Sequence, residues 1–214
     1  MTKPRDLLIA ELAGTASPIK RPGQTTRGTL LWLVLAGCLT TLGILASGPL
    51  VMTRWPQVLH APQFLFESLL GVAAIMTLAT VAFKTGIPSP TPLVRRLILP
   101  LVVLAAWLGM QVYGLIEPAL EPSMAGKRAH CWLEALLTGV PGLMLGCLAV
   151  RRLWPLHGVW TGALLGLASG AIPALMMQFI CMYEPTHALK YHLLPGLTTG
   201  LVGALVGAFA LRPR

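Results

Sequence analysis

The sequence predicts an all-α polytopic membrane protein with six transmembrane helices and both termini in the cytoplasm. Of its 214 residues, 55% are hydrophobic and only 11% are charged, and the mean hydropathy is +0.74. Soluble domains carry about 25% charged residues, so this composition excludes that class. The apolar residues also form six blocks, each close to the roughly 20 residues that a helix needs to cross a bilayer.

Each apolar block is predicted to be a helix, because a backbone in lipid must satisfy its hydrogen bonds within the segment. The first block is too long for a signal-peptide core and follows a long leader, so we interpret it as a retained span. The chain then divides into an amino-terminal cytoplasmic segment (1–28), a transmembrane domain (29–211) and a short cytoplasmic tail (212–214). The predicted spans cover residues 29–51, 64–83, 97–116, 132–150, 159–180 and 193–211.

The distribution of positive charge predicts the orientation. With the amino terminus inside, only Arg54, Lys127, Arg128 and Lys190 of the 16 Lys and Arg residues fall on the outer face. This bias follows the positive-inside rule and indicates a multi-pass protein of a bacterial inner membrane. The net charge of +9 is therefore interpreted as a topology signal, and no direct contact with nucleic acid is predicted. The residues assigned to the cytoplasmic face are Lys3, Arg5, Lys20, Arg21, Arg27, Lys84, Arg95, Arg96, Arg151, Arg152, Arg212 and Arg214.

The amino-terminal segment contains a short helical pattern over residues 5–13. Leu8 and Leu12 are one turn apart with Ile9 beside them, and Asp6 lies near the helix start, where negative charge is favourable. A helix of this length is marginal alone in water. We expect it to fold against the membrane surface or another protein; the alternative is a frayed tail.

Small residues recur at a spacing of four along the last three spans, which is typical of helices that pack closely in lipid. This pattern predicts a compact bundle within one chain, with a homodimer as the alternative. The glycines concerned are Gly142, Gly146, Gly158, Gly162, Gly166, Gly170, Gly196, Gly200, Gly203 and Gly207.

Two of the four cysteines are candidates for chemistry. Cys131 lies where the fourth span begins and Cys181 where the fifth ends, so antiparallel packing places both at the outer face. The periplasm is oxidising, and the two thiols could approach within disulfide range. We therefore hypothesise a redox- or metal-responsive pair. Cys38 and Cys147 lie inside apolar runs and are interpreted as inert.

Histidines concentrate near the same two cysteines. His130 precedes Cys131, and His187 and His192 follow Cys181. Two thiolates with imidazoles suit zinc or another soft metal ion such as cadmium. Glu134 could accept a proton there or complete the metal shell. The alternative is a plain stabilising disulfide with interfacial histidines.

Other polar residues near the outer boundary receive a simpler interpretation. Glu67 lies within about a turn of that boundary, so we expect its carboxylate to reach headgroup water. Gln178, Tyr183, Glu184 and Tyr191 are interpreted as interface anchors. The chain has no phosphate-binding loop, no His-Glu-x-x-His and no Cys-x-x-Cys motif, and an enzyme is not predicted.

Several segments resemble the NrsF family of membrane anti-sigma factors. They are HCWLEALLTGVP (130–141), the arginine pair at 151–152, TGALLG (161–166), CMYEPTH (181–187) with the Tyr-His pair at 191–192, and DLLIAELA (6–13). Together they span nearly the whole chain. The arrangement of six spans with a cysteine at each of these two positions is similar to the family's pattern.

The resemblance implies a function. Family members hold an extracytoplasmic-function sigma factor at the membrane and release it under stress, including heavy-metal stress. The family's two functional cysteines would correspond to Cys131 and Cys181, and the amino-terminal segment with Asp6, Leu8, Ile9 and Leu12 would bind the sigma factor. The alternative functions are a small permease for a metal ion or metabolite, and a membrane redox enzyme.

Overall fold

The structure, a computed structural model, describes residues 4–15, 25–48 and 55–211. Its α-helices are α1 (Arg5–Thr15), α2 (Thr25–Ser47), α3 (Trp55–Leu59), α4 (Pro62–Thr85), α5 (Leu93–Tyr113), α6 (Cys131–Arg151), α7 (Gly158–Ile180), α8 (Pro185–His187) and α9 (Leu194–Ala210). A π-helical turn, Ala188–Leu193, joins α8 to α9. In the described residues the β structure is limited to an isolated antiparallel bridge between Ser123 and Tyr183.

The predicted all-α architecture with six long apolar helices is confirmed. Among the described residues, six helices are long and apolar enough to cross a membrane: α2, α4, α5, α6, α7 and the continuous segment Pro185–Ala210. The main difference from the sequence prediction is at this last span, which begins at Pro185 because α8 and the π turn continue into α9. The end of the first predicted span (49–51) and the predicted tail (212–214) lie outside the described residues.

Helix α7 forms the centre of the bundle, since 72% of its span is buried, whereas only 22% of the span of α5 is buried. Its glycines face α9. A Cβ atom on Gly162 would clash with the carbonyl oxygen of Gly203, and one on Gly166 would clash with that of Thr199. The small-residue faces of these two helices therefore pack within one chain, as the sequence predicts.

Helix α2 is tied to α6 along its length. The indole Nε1 of Trp32 donates to the carbonyl oxygen of Gly142 at 2.8 Å, in a buried position. Nearer the other end of α2, the hydroxyl of Thr40 donates to the carbonyl oxygen of Thr138 at 3.4 Å. Such bonds are well protected where no water competes. The two helices therefore form one unit through the bundle.

The two ends of the bundle differ in their chemistry. At the end that we call the cysteine end, α2 and α7 end, and α6 and α8 begin. At the opposite end, which we call the amino-terminal end, α2 begins at Thr25 and α6 ends at Arg151. The long helices thus connect the two predicted cysteines to the end at which the amino-terminal segment enters the bundle.

Candidate thiol and metal site

The structure brings Cys131 and Cys181 together at the cysteine end. Cys131 is the first residue of α6 and Cys181 directly follows α7. Their Sγ atoms are 3.1 Å apart, and the two residues are 2% and 6% exposed. Both are free thiols. Because a disulfide bond is about 2.05 Å long, a shift of roughly 1 Å would allow the pair to oxidise.

The surroundings of the pair favour a thiolate at Cys181. The hydrogen bond from the Cys131 thiol lowers the pKa of the Cys181 thiol; burial opposes this effect, and the nearby imidazole of His192 adds to it. The Cys131 Sγ also lies 3.4 Å from the carbonyl oxygen of Arg128, which is a second acceptor within reach of its single S–H proton. A thiolate is the form that binds metals and attacks oxidants.

Two histidines complete the cluster, and the π turn is the reason that both reach it. Residues five apart lie about 140° from each other around an α-helix. A π turn, whose hydrogen bonds join residues five apart, places such residues on one side. His187 and His192 are five apart, and their ring centroids are 5.0 Å from each other. The turn ends with Leu194 N–H donating to the carbonyl of Leu189.

Glu184 fixes the start of α8, the short helix that leads into the π turn. Its carboxylate accepts hydrogen bonds from the backbone N–H groups of Thr186 at 3.0 Å and His187 at 2.5 Å. The carboxylate therefore caps α8, and Pro185 occupies the first helical position, where its missing N–H costs nothing. This cap places His187 so that its Nε2 is 3.5 Å from the Sγ of Cys181.

The four residues have the composition and size of a metal site. One ligand atom each from Cys131, Cys181, His187 and His192 lies within 4.8 Å of all the others, and all four residues are buried. Bonds of about 2.3 Å to sulfur and 2.0–2.1 Å to nitrogen in a tetrahedral site would place the ligand atoms about 3.4–3.8 Å apart. Small movements would therefore let the cluster hold zinc or cadmium.

The other two predicted ligands lie outside this cluster. His130 is exposed on the surface just before α6. Glu134 pairs with Arg128, whose Nε donates to Oε2 at 2.7 Å, and both side chains are about nine-tenths buried. The Nη2 of Arg128 also donates to the carbonyl oxygen of Ile44 at the end of α2, at 3.1 Å. Arg128 thus joins the start of α6 to the end of α2.

Several polar residues at this end have roles that the sequence analysis missed. Glu67 is 3% exposed instead of reaching headgroup water, and it accepts a hydrogen bond from Gln63 at 3.2 Å. Gln178 lines a small cavity beside Glu67. The hydroxyl of Tyr183 accepts from the backbone N–H of Ala119 and so joins two loops. The sequence signal for these positions is weak, because the burial of Glu67 and the loop contact of Tyr183 depend on which segments are neighbours in space.

Near the start of the chain, helix α1 exposes the residues that are predicted to bind a partner. Leu8, Ile9 and Leu12 are 46%, 53% and 60% exposed, and Leu7 is exposed as well. Asp6 lies in the first turn. The predicted helix is thus present over Arg5–Thr15, with large apolar side chains available on its surface.

Comparison with known proteins gives one assignment. A family model described as NrsF, negative regulator of sigma F, matches residues 12–212. The match begins within α1 and includes all six long helices and the four residues of the thiol and imidazole cluster. Neither a curated protein nor a solved structure shows a significant match.

Proposed function

The chain belongs to the NrsF family of negative regulators of sigma F, and from this we propose that it is an anti-sigma factor that sequesters an extracytoplasmic-function sigma factor at the bacterial inner membrane. Regulation of a sigma factor is not an enzymatic role. The proposal assigns binding to the amino-terminal segment and sensing to the cluster of Cys131, Cys181, His187 and His192.

The sigma factor binds α1 in this proposal. The helix has only 11 residues, so it gains little stability by itself. Exposed Leu8, Ile9 and Leu12 offer the apolar surface by which a short helix fits into a partner's groove. Asp6 lies in the first turn, where it favours helix formation.

The signal acts at the cysteine end. The buried thiols of Cys131 and Cys181 have three chemical states: free, joined as a disulfide, or bound to a metal ion with His187 and His192. Each state requires a different spacing of the four ligand atoms. A change of state therefore changes the relative positions of α6, α7 and the π turn.

The orientation follows from charge. The excess of Lys and Arg in the segments assigned to the amino-terminal end supports a cytoplasmic location for that end and for both termini. The cysteine end then faces the periplasm, where oxidants and metal ions from outside arrive first. The sigma factor is thereby held on one side of the membrane and the signal is received on the other.

Helices α2 and α6 carry the signal between the two sides. A thiol that binds a metal or forms a disulfide loses its proton, so Cys131 can no longer donate to either of its acceptors, the Cys181 sulfur or the Arg128 carbonyl. Arg128 contacts both Glu134 in α6 and the Ile44 carbonyl in α2. The bond from Trp32 to Gly142 extends this connection toward the amino-terminal end of α2.

A transcription experiment tests the proposal. Deleting residues 1–20 from the chain should free its sigma factor and raise transcription from the target promoter of that factor without any stress. A full-length control that carries Leu7→Ala should keep the promoter silent. A deletion that leaves transcription unchanged but abolishes uptake of a metal ion would instead favour a permease.

A further inference from the structure

A buried polar chamber lies beside the thiol and imidazole cluster. Its walls include Glu67 of α4, Gln111 of α5, Gln178 of α7 and His192 of the π turn. The centre of a water molecule can move through about 10 Å³ of it, which is room for one water. The chamber lies at the cysteine end of the bundle, where Met182 and Tyr183 of the segment after α7 also line it.

The polar atoms around the chamber point to an occupant. Among the described residues, Gln111 Nε2, Gln178 Oε1 and both ring nitrogens of His192 are buried without a hydrogen-bond partner. Gln111 is 6% exposed and His192 is 1% exposed. Buried polar atoms are almost always paired with protein or ordered water. Several such atoms around one cavity therefore indicate a bound polar molecule.

The chemistry of these groups fits a water molecule. The Gln111 amide N–H group donates, whereas the Gln178 amide oxygen and the Glu67 carboxylate accept. A cation is opposed by the N–H donor, and an anion is opposed by the carboxylate. One water molecule donates twice and accepts twice, so it satisfies both kinds of group within this volume.

We propose that Glu67 is a positioning residue for His192, acting through one water molecule held in the chamber with Gln111 and Gln178. This inference rests on the proposed metal-binding role of the cluster. His192 belongs both to the group of four ligands and to the chamber wall. One ring nitrogen of His192 could therefore bind the metal, while the N–H group of the other ring nitrogen donates to the water.

The way in which histidine binds metals explains what this arrangement of Glu67, water and His192 would do. A metal-bound histidine generally donates its second ring N–H to a carboxylate, carbonyl or water, which fixes the tautomer and the ring orientation. Glu67 and its water supply that acceptor. The arrangement also accounts for a carboxylate that is 3% exposed within a predicted span, where ionisable groups are rare and usually functional.

The test uses the purified full-length protein in detergent, with Co²⁺ as the spectroscopic probe and Zn²⁺ as the competitor. Glu67→Gln should weaken Zn²⁺ binding by about 10–100-fold, the usual effect of losing such a partner. It should also shift the ligand-field bands of bound Co²⁺ and leave the thiolate charge-transfer band in place. Glu67→Asp, which keeps the carboxylate, should restore most of the affinity.

Two further variants separate positioning from general packing. Gln178→Met, which keeps a similar volume and removes the amide, should shift the same bands even if Glu67→Gln folds poorly. Ser68→Ala is the matched control, because the Ser68 hydroxyl donates to the carbonyl of Phe64 in its own helix and does not line the chamber. Ser68→Ala should keep the wild-type affinity and spectrum.

The outcomes distinguish this inference from the proposal on which it rests. A well-folded Glu67→Gln variant with wild-type affinity and Co²⁺ spectrum overturns the positioning role and leaves the metal site standing. A wild-type protein that binds neither Co²⁺ nor Zn²⁺ overturns the metal site itself, and the positioning role with it.

Discussion

The Sγ atoms of Cys131 and Cys181 lie 3.1 Å apart although 50 residues separate them in the chain. They meet because α6 begins and α7 ends at the same end of the bundle. A reaction at this pair therefore acts on two helices at once. One of them, α6, is hydrogen-bonded to α2, the helix that follows the amino-terminal segment.

The first prediction concerns the thiols. Cys131→Ser and Cys181→Ser should each abolish binding of Cd²⁺ and Zn²⁺, because a hydroxyl is a poor ligand for soft ions. Calorimetric titration of the purified protein measures this. Cys38→Ser is the control, since Cys38 is an exposed residue of α2 and does not belong to the cluster. Binding that persists in the Cys131→Ser, Cys181→Ser double variant would contradict a thiol site.

The second prediction concerns the imidazoles. His187→Ala and His192→Ala should each weaken Zn²⁺ binding at least 10-fold while the two thiols still form a disulfide with diamide. His130→Ala should bind Zn²⁺ like the wild type, because His130 is exposed outside the cluster. Equal losses in all three variants would show that the four buried residues do not act as a ligand set.

The third prediction concerns Arg128 and Glu134. Glu134→Gln should lower the free energy of unfolding by about 1.5–3 kcal/mol, since it removes a charge-assisted hydrogen bond between two largely buried side chains. Denaturation in detergent measures this. The Zn²⁺ affinity should stay unchanged. A loss of affinity without a loss of stability would instead identify Glu134 as a ligand.

The fourth prediction concerns the contact between α7 and α9. Gly162→Ala should cost about 1–3 kcal/mol of unfolding free energy, because the added Cβ meets the carbonyl oxygen of Gly203. Gly37→Ala is the matched control. A Cβ there meets nothing within 4 Å, so the higher helix propensity of alanine should leave stability equal or slightly raised. The reverse order of stabilities would contradict the packing described.

The fifth prediction concerns α1. Changing Leu8 and Leu12 together to alanine should reduce co-purification of the sigma factor at least 10-fold, because both lie on one exposed face. Leu7 is also exposed, and it lies about 100° from Leu8 and about 140° from Leu12 around the helix. Leu7→Ala should therefore retain the sigma factor. Loss of binding in Leu7→Ala alone would mean that the partner contacts the other face.

Much of this architecture could be predicted from the sequence, because the bilayer imposes simple rules. Span length and apolar content identify the six helices, and their alternating direction places Cys131 and Cys181 at the same end. The glycine spacing identifies the close contact of α7 with α9. These features depend only on local pattern and on membrane thickness.

The parts that could not be predicted depend on backbone register and on which helices are neighbours. The π turn brings His187 and His192 to one side, yet hydrophobic periodicity does not reveal a change from i→i+4 to i→i+5 bonding. Glu134 follows Cys131 by three residues, so it resembles a ligand. It pairs instead with Arg128, whose position is set by a loop. Glu67 is buried at a cavity that it shares with Gln111 of α5 and Gln178 of α7, so its environment depends on which helices are neighbours.

The most direct test of the central claim is co-purification of the full-length protein with its sigma factor, before and after addition of Cd²⁺. The account predicts a complex that dissociates with Cd²⁺ in the wild type and stays intact in the Cys131→Ser, Cys181→Ser double variant. Dissociation of both complexes to the same extent, or no complex with the wild type under reducing and metal-free conditions, would contradict it.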